Sequence, residues 1–144
     1  MPRSLTLAHY VKRRNGVALG ASGSLSNMLN NALGAGSFAL FWHYWNPIWG
    51  YYLGRYVMQP TNRFLPHSAA VIITFAVSGA LHDLAISLVK FNLVWPLTPW
   101  FSLMGVWVVL SNYLNIQYHR LAWSYRCSIN LSVIIGSYGC TQLL

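Results

Sequence analysis

"SAAVIITFAVSGALHDLAISLV", residues 68–89, decides the fold class. A bilayer's hydrocarbon core takes about 20 consecutive apolar residues of helix, and this run meets that, entered after Pro66 and left at Lys90. Two residues in it are out of place in lipid: His82 and Asp83, side by side, Asp83 being the only acid in the chain. Thr74, Ser78 and His82 recur four residues apart and so stack on one helix face. Ser87, four after Asp83, falls on an adjacent face. A carboxylate at mid-membrane depth costs about 2.5–3.5 kcal/mol on insertion scales, so such a residue faces protein or water and has a task. A neutral imidazole is cheaper to bury, and it takes and returns a proton near neutral pH. The run alone admits two assignments: His82 placed for chemistry, or His82 hydrogen-bonding across a helix bundle with Asp83 near the headgroups.

The rest of the composition agrees with a membrane protein. The 144 residues are 56% hydrophobic and 15% aromatic but only 7% charged, against about 25% charged in soluble domains. Nine Lys and Arg face one acid, a net charge of +8. Those cations sit at the ends of apolar segments and not in one dense patch, which fits topological charge bias and argues against nucleic acid as a partner. Six precede residue 68, Lys90 follows the run, and Arg120 and Arg126 come later. That distribution puts the N-terminus on the cytoplasmic side of an integral membrane protein. No secretory leader is expected, since "SLTLA" after Arg3 is too short for one. Cys127 and Cys140 form neither a CxxC pair nor a disulfide framework.

Three zones follow. Residues 1–37 are basic, then rich in small residues and asparagine, and read as a loop plus a short helix. Residues 38–66 crowd aromatics with Arg55 and Arg63, as an amphipathic helix at headgroup level does. Residues 67–144 hold about three transmembrane helices: 68–89, 98–116 and a shorter one over 130–144. The fold class is thus all-α and polytopic. His43, His67 and His119 suggest haem ligands, but they lie in polar or terminal positions that suit surface histidines. No HxxxH or CxxC spacing marks a zinc site, and "GAG" at 34–36 lacks the lysine of a phosphate loop. No metal or bound cofactor is expected.

The stretch "FWHYWNPIWGYYLGRYVMQP" followed by "AAVIITFAVSGALHDL" resembles the membrane-bound O-acyltransferases (MBOAT family), nearest the branch of sterol and diacylglycerol acyltransferases. The matching positions are Phe41, Trp42, Trp45 and Asn46, then Arg55 and Pro60, then Ser78, Gly79, His82 and Asp83. The tail "SVIIGSYGCTQLL" is similar to that branch's last helix. Pro47 directly after Asn46, Gly50 in place of a histidine, and Asp83 in place of a glutamate depart from the pattern. The resemblance implies acyl transfer from acyl-CoA, a co-substrate, to a hydroxyl of a membrane lipid or another acceptor. It makes His82 the general base, Asn46 a donor to the carbonyl oxygen or a holder of the imidazole, and Ser78 an orienting residue. Phe41, Trp42, Trp45, Arg55 and Asp83 would support the site or bind substrate. It places the chain in the endoplasmic reticulum or a bacterial inner membrane. Because the match covers only the final portion of such enzymes, a companion chain or an oligomer would supply the remaining helices. The alternative is a non-catalytic subunit of the same descent that binds lipid or another membrane protein.

Overall fold

The computed structural model describes residues 5–143; Arg3 and Leu144, named above, lie outside them. Every regular element among the described residues is helical. In chain order they are α1 (Leu7–Asn15), α2 (Ser24–Leu33), α3 (Phe38–Tyr44), α4 (Pro47–Leu53), a π-helical turn (Gly54–Met58), α5 (Gln59–Thr61), α6 (His67–Lys90), α7 (Leu97–Tyr113) and α8 (Trp123–Thr141). They group into two compact units. The first holds the described part of Met1–Tyr52 together with Gln117–Asn130; the second holds Leu53–Ile116 and the described part of Leu131–Leu144.

The second unit is built on the α6–α7 hairpin. Ala70, Ser78, Gly79 and Asp83 are the buried positions of α6, and Met104, Gly105, Val108 and Ser111 those of α7. Small residues let the two backbones touch. A Cβ placed on Gly79 would stand 2.7 Å from the Leu97 carbonyl oxygen and 2.8 Å from the Thr98 Cα; one on Gly105 would stand 2.9 Å from the Phe75 Cβ. Close packing of this kind leaves no room for a side chain at either glycine. Gly79→Ala is therefore expected to cost about 2 kcal/mol, the usual penalty of overpacking against unyielding backbone. Unfolding of detergent-solubilised protein by added dodecyl sulfate checks this, and an unchanged midpoint would contradict the close approach.

The turn between α6 and α7 is tied by one hydroxyl. Ser87 Oγ donates to the Val94 carbonyl and accepts from the Val94 amide, at 3.1 and 3.0 Å. Phe91 ends α6 in the left-handed region, φ 50°, with its N–H returning to the Ser87 carbonyl. On the other side of α7, the Trp100 indole donates to the Ile134 carbonyl at 3.0 Å and its ring meets Tyr138 edge-on.

In the first unit, α1 starts under a Thr6 cap and stops at Gly16, whose φ of 80° suits the left-handed stop position. Asn15 is buried and donates to both the carbonyl and hydroxyl of Ser24. Asn130 is fully buried: its Nδ2 donates to the Leu33 and Ala35 carbonyls, and its Oδ1 accepts from the Tyr118 hydroxyl. Burial of that phenol pushes its pKa up to about 12. The "GAG" glycines serve packing here, since a Cβ on Gly34 would overlap the Trp123 ring.

Of the expected spans one is shown, and two elements differ from the sequence expectation. One helix among the described residues, α6, is long and apolar enough to cross a membrane. With 17 residues, α7 is about 25 Å long against a core of about 30 Å; α8 has 19, with Arg126, Ser128 and Asn130 among them. The aromatic stretch is not one interfacial helix: Asn46, with φ 41°, breaks it, because a residue before proline is disfavoured from continuing a helix and asparagine tolerates the left-handed region. Finally α8 begins at Trp123, ahead of the 130–144 segment expected.

Candidate functional site

The residues singled out in the sequence divide between the units. Phe41, Trp42, Trp45 and Asn46 belong to the first; Arg55, Ser78, His82 and Asp83 belong to the second.

In the second unit the polar stripe of α6 resolves into separate tasks. Thr74 turns back on its own helix, donating to the Ala70 carbonyl at 2.7 Å. Ser78 is buried, and its carbonyl lies 2.7 Å from His82 Nδ1. A carbonyl oxygen only accepts, so Nδ1 carries the proton and the neutral ring holds its lone pair on Nε2. The imidazole also stacks on Phe101 of α7, ring centres 5.1 Å apart at 27°. Phe101 in turn meets Trp100 edge-on at 5.6 Å. The Ser78 contact with the ring is thus made by its backbone carbonyl.

Asp83 turns to the start of α7. It is 4% exposed, and its Oδ1 accepts from the Leu97 amide at 3.0 Å, its Oδ2 from the amide and hydroxyl of Thr98, each at 2.7 Å. Those amides open α7, where the first N–H groups of a helix have no partner of their own and the dipole favours an anion. Pro96, in the capping position, has no side-chain acceptor to offer. Asp83 is the cap supplied from the neighbouring helix. By holding Leu97 and Thr98 it fixes the turn of α7 that carries Phe101 to the imidazole.

Leu97, Thr98 and Phe101 were not picked out from the sequence. The signal available was indirect: a lone acid in an apolar helix must find donors, and the nearest unsatisfied set is the start of the next helix.

In the first unit, Phe41 is buried and stacks on Trp45 at 5.5 Å, with Trp42 edge-on at 5.2 Å. Asn46 Oδ1 accepts from the Trp49 amide at 3.2 Å and its carbonyl accepts from Gly50. With Pro47 in the first helical position, this is an asparagine N-cap followed by the residue best suited to come next. The cap uses Oδ1 and leaves Nδ2 as a donor. Arg55 lies exposed in the π-helical turn of the second unit.

His43, next to this cluster, is held well below the ordinary imidazole range, to about 4, first by burial and then by the Arg14 and Arg13 charges. Arg14 reaches it directly, donating to the His43 carbonyl at 2.9 Å. As a base with a lowered folded pKa, His43 binds its proton later than the unfolded chain does. Its contribution to stability is complete above about pH 6.5 and is lost as pH falls toward 4. Proton resonances of the ring should titrate near pH 4, and Arg14→Gln should raise that midpoint part of the way, since burial remains. A midpoint at the ordinary value would contradict this environment.

Among the described residues, no three His, Cys, Asp or Glu side chains gather as metal ligands, and Cys127 and Cys140 are unpaired. No family model, no curated protein and no solved structure matches the chain.

Proposed function

We propose that the chain is the catalytic portion of a membrane-embedded O-acyltransferase, similar to the sterol and diacylglycerol branch of the membrane-bound O-acyltransferases. The observation that supports this most is the tautomer of His82: with the proton on Nδ1 against the Ser78 carbonyl, Nε2 is the basic atom. In the proposed reaction Nε2 takes the proton of the acceptor hydroxyl as its oxygen attacks the acyl-CoA thioester carbonyl. The carbon–sulfur bond then breaks, and the CoA thiolate leaves with the proton returned from the imidazolium. The resemblance assigns Asn46 a part in the same chemistry, as a hydrogen-bond donor to developing negative charge. Phe41, Trp42, Trp45 and Arg55 are proposed to support substrate binding.

In this reading α6, α7 and α8 all cross the bilayer, α7 and α8 as short spans, and the N-terminus is cytoplasmic, in a bacterial inner membrane or the endoplasmic reticulum. Additional helices come from a companion chain or from further copies.

The second reading is a non-catalytic subunit of the same descent. What favours it is that the side chains of Asp83 and Asn46 both serve as helix caps, which gives them a structural reason to be present. Vesicles containing only this protein, supplied with acyl-CoA and diacylglycerol or a sterol, separate the two. Acyl-ester formation that disappears in His82→Ala, and falls in Asn46→Ala, supports the enzyme. Equal rates in wild type and His82→Ala remove it and leave the subunit.

A further inference from the structure

The chain carries nine Lys and Arg and one acidic side chain. That acid, Asp83, is buried and committed to the start of α7. No second side-chain carboxylate exists in the sequence to pair with Lys12 or Arg13.

These cations are arranged most densely on α1. Val11 and Asn15, one turn apart, are its buried side. Arg14 is folded inward, its guanidinium 4.5 Å over the Tyr10 ring and bonded to the His43 carbonyl. Away from them, His9, Lys12 and Arg13 are exposed, and the spacing of 9, 12 and 13 puts three nitrogenous side chains on one face. Leu5 and Leu19, at the two ends of the segment, are exposed as well. A helix with a basic outer face and apolar residues beside it suits a surface of anionic headgroups, where each Lys or Arg gains affinity from the negative leaflet potential.

We propose that the outer face of α1, through Lys12 and Arg13, binds the phosphates of anionic phospholipids at the membrane surface. Charge complementarity carries the choice of partner. The inference rests on membrane placement and is independent of catalysis.

The test uses the full chain reconstituted in nanodiscs with equal amounts of phosphatidylcholine and phosphatidylglycerol, released into neutral detergent, with retained lipids counted by native mass spectrometry. Phosphatidylglycerol should be enriched, and each of Lys12→Gln and Arg13→Gln should lower the enrichment about fivefold, the factor that corresponds to ~1 kcal/mol per surface charge. The charge-keeping pair Lys12→Arg and Arg13→Lys should retain it, as should His82→Ala, whose effect belongs to the acyl-transfer reading. Three results would overturn the proposal: no preference for phosphatidylglycerol, an equal drop from Lys90→Gln (charge acting diffusely), or displacement by millimolar inorganic phosphate (a site for a soluble anion).

Discussion

Asp83→Ala is expected to lower the stability of the second unit by roughly 3–5 kcal/mol. The substitution strands two backbone N–H groups and one hydroxyl that now share a carboxylate, and each buried group left unsatisfied costs about 1–3 kcal/mol. Asp83→Asn separates shape from charge: its single oxygen can keep Thr98, but its NH2 then points at the Leu97 amide, donor against donor. About 1–3 kcal/mol is expected for it. Asp83→Glu adds a methylene where Gly79 already brings α6 against Leu97 and Thr98, so it should not restore the alanine loss. Dodecyl sulfate unfolding followed by tryptophan fluorescence gives these numbers, and an alanine effect under about 1 kcal/mol would contradict the capping role.

Under the proposed acyl-transfer function, His82→Ala is expected to reduce the rate by about 10²–10⁴-fold, the usual worth of a positioned general base, while costing the fold little. His82 is an exposed residue whose ring stacks on Phe101. Stability should therefore change by about 1 kcal/mol, the scale of an aromatic pair. His82→Gln sharpens the point: it fills similar space and keeps a hydrogen-bonding end but takes up no proton near neutral pH, so its activity should fall as far as alanine's. If glutamine keeps most of the rate, His82 works by hydrogen bonding and the proton must go elsewhere. If both variants lose stability in step with activity, the ring's role is packing.

These two neighbours also mark how far the sequence could be read. The run 68–89 announces a long apolar helix through composition alone, and α6 matches it within one residue at either end. His82 stands out by residue type. Asp83's partners do not, because backbone amides fourteen and fifteen positions along carry no signature in residue identity. For the same reason nothing in residue identity marks the Ser78 carbonyl as the partner of His82: any residue's carbonyl would serve. The break at Asn46 was visible in "NP", yet the aromatic periodicity on both sides suggested continuity, and pre-proline sterics won over it. The early start of α8 was hidden by its mixed composition, "WSYRCSI", which shows no apolar face until its closing turns.

Asn130 bears on how the protein is made. Its amide joins carbonyls 97 and 95 positions earlier in the chain, so the first unit cannot close until residue 130 has left the ribosome. The α6–α7 hairpin, by contrast, needs only neighbours in sequence, and low contact separation favours early formation. During synthesis the hairpin is then assembled first, while α1 to α3 wait for their last segment. A nascent chain halted before residue 117 should hold a formed hairpin beside an N-terminal region still open to protease.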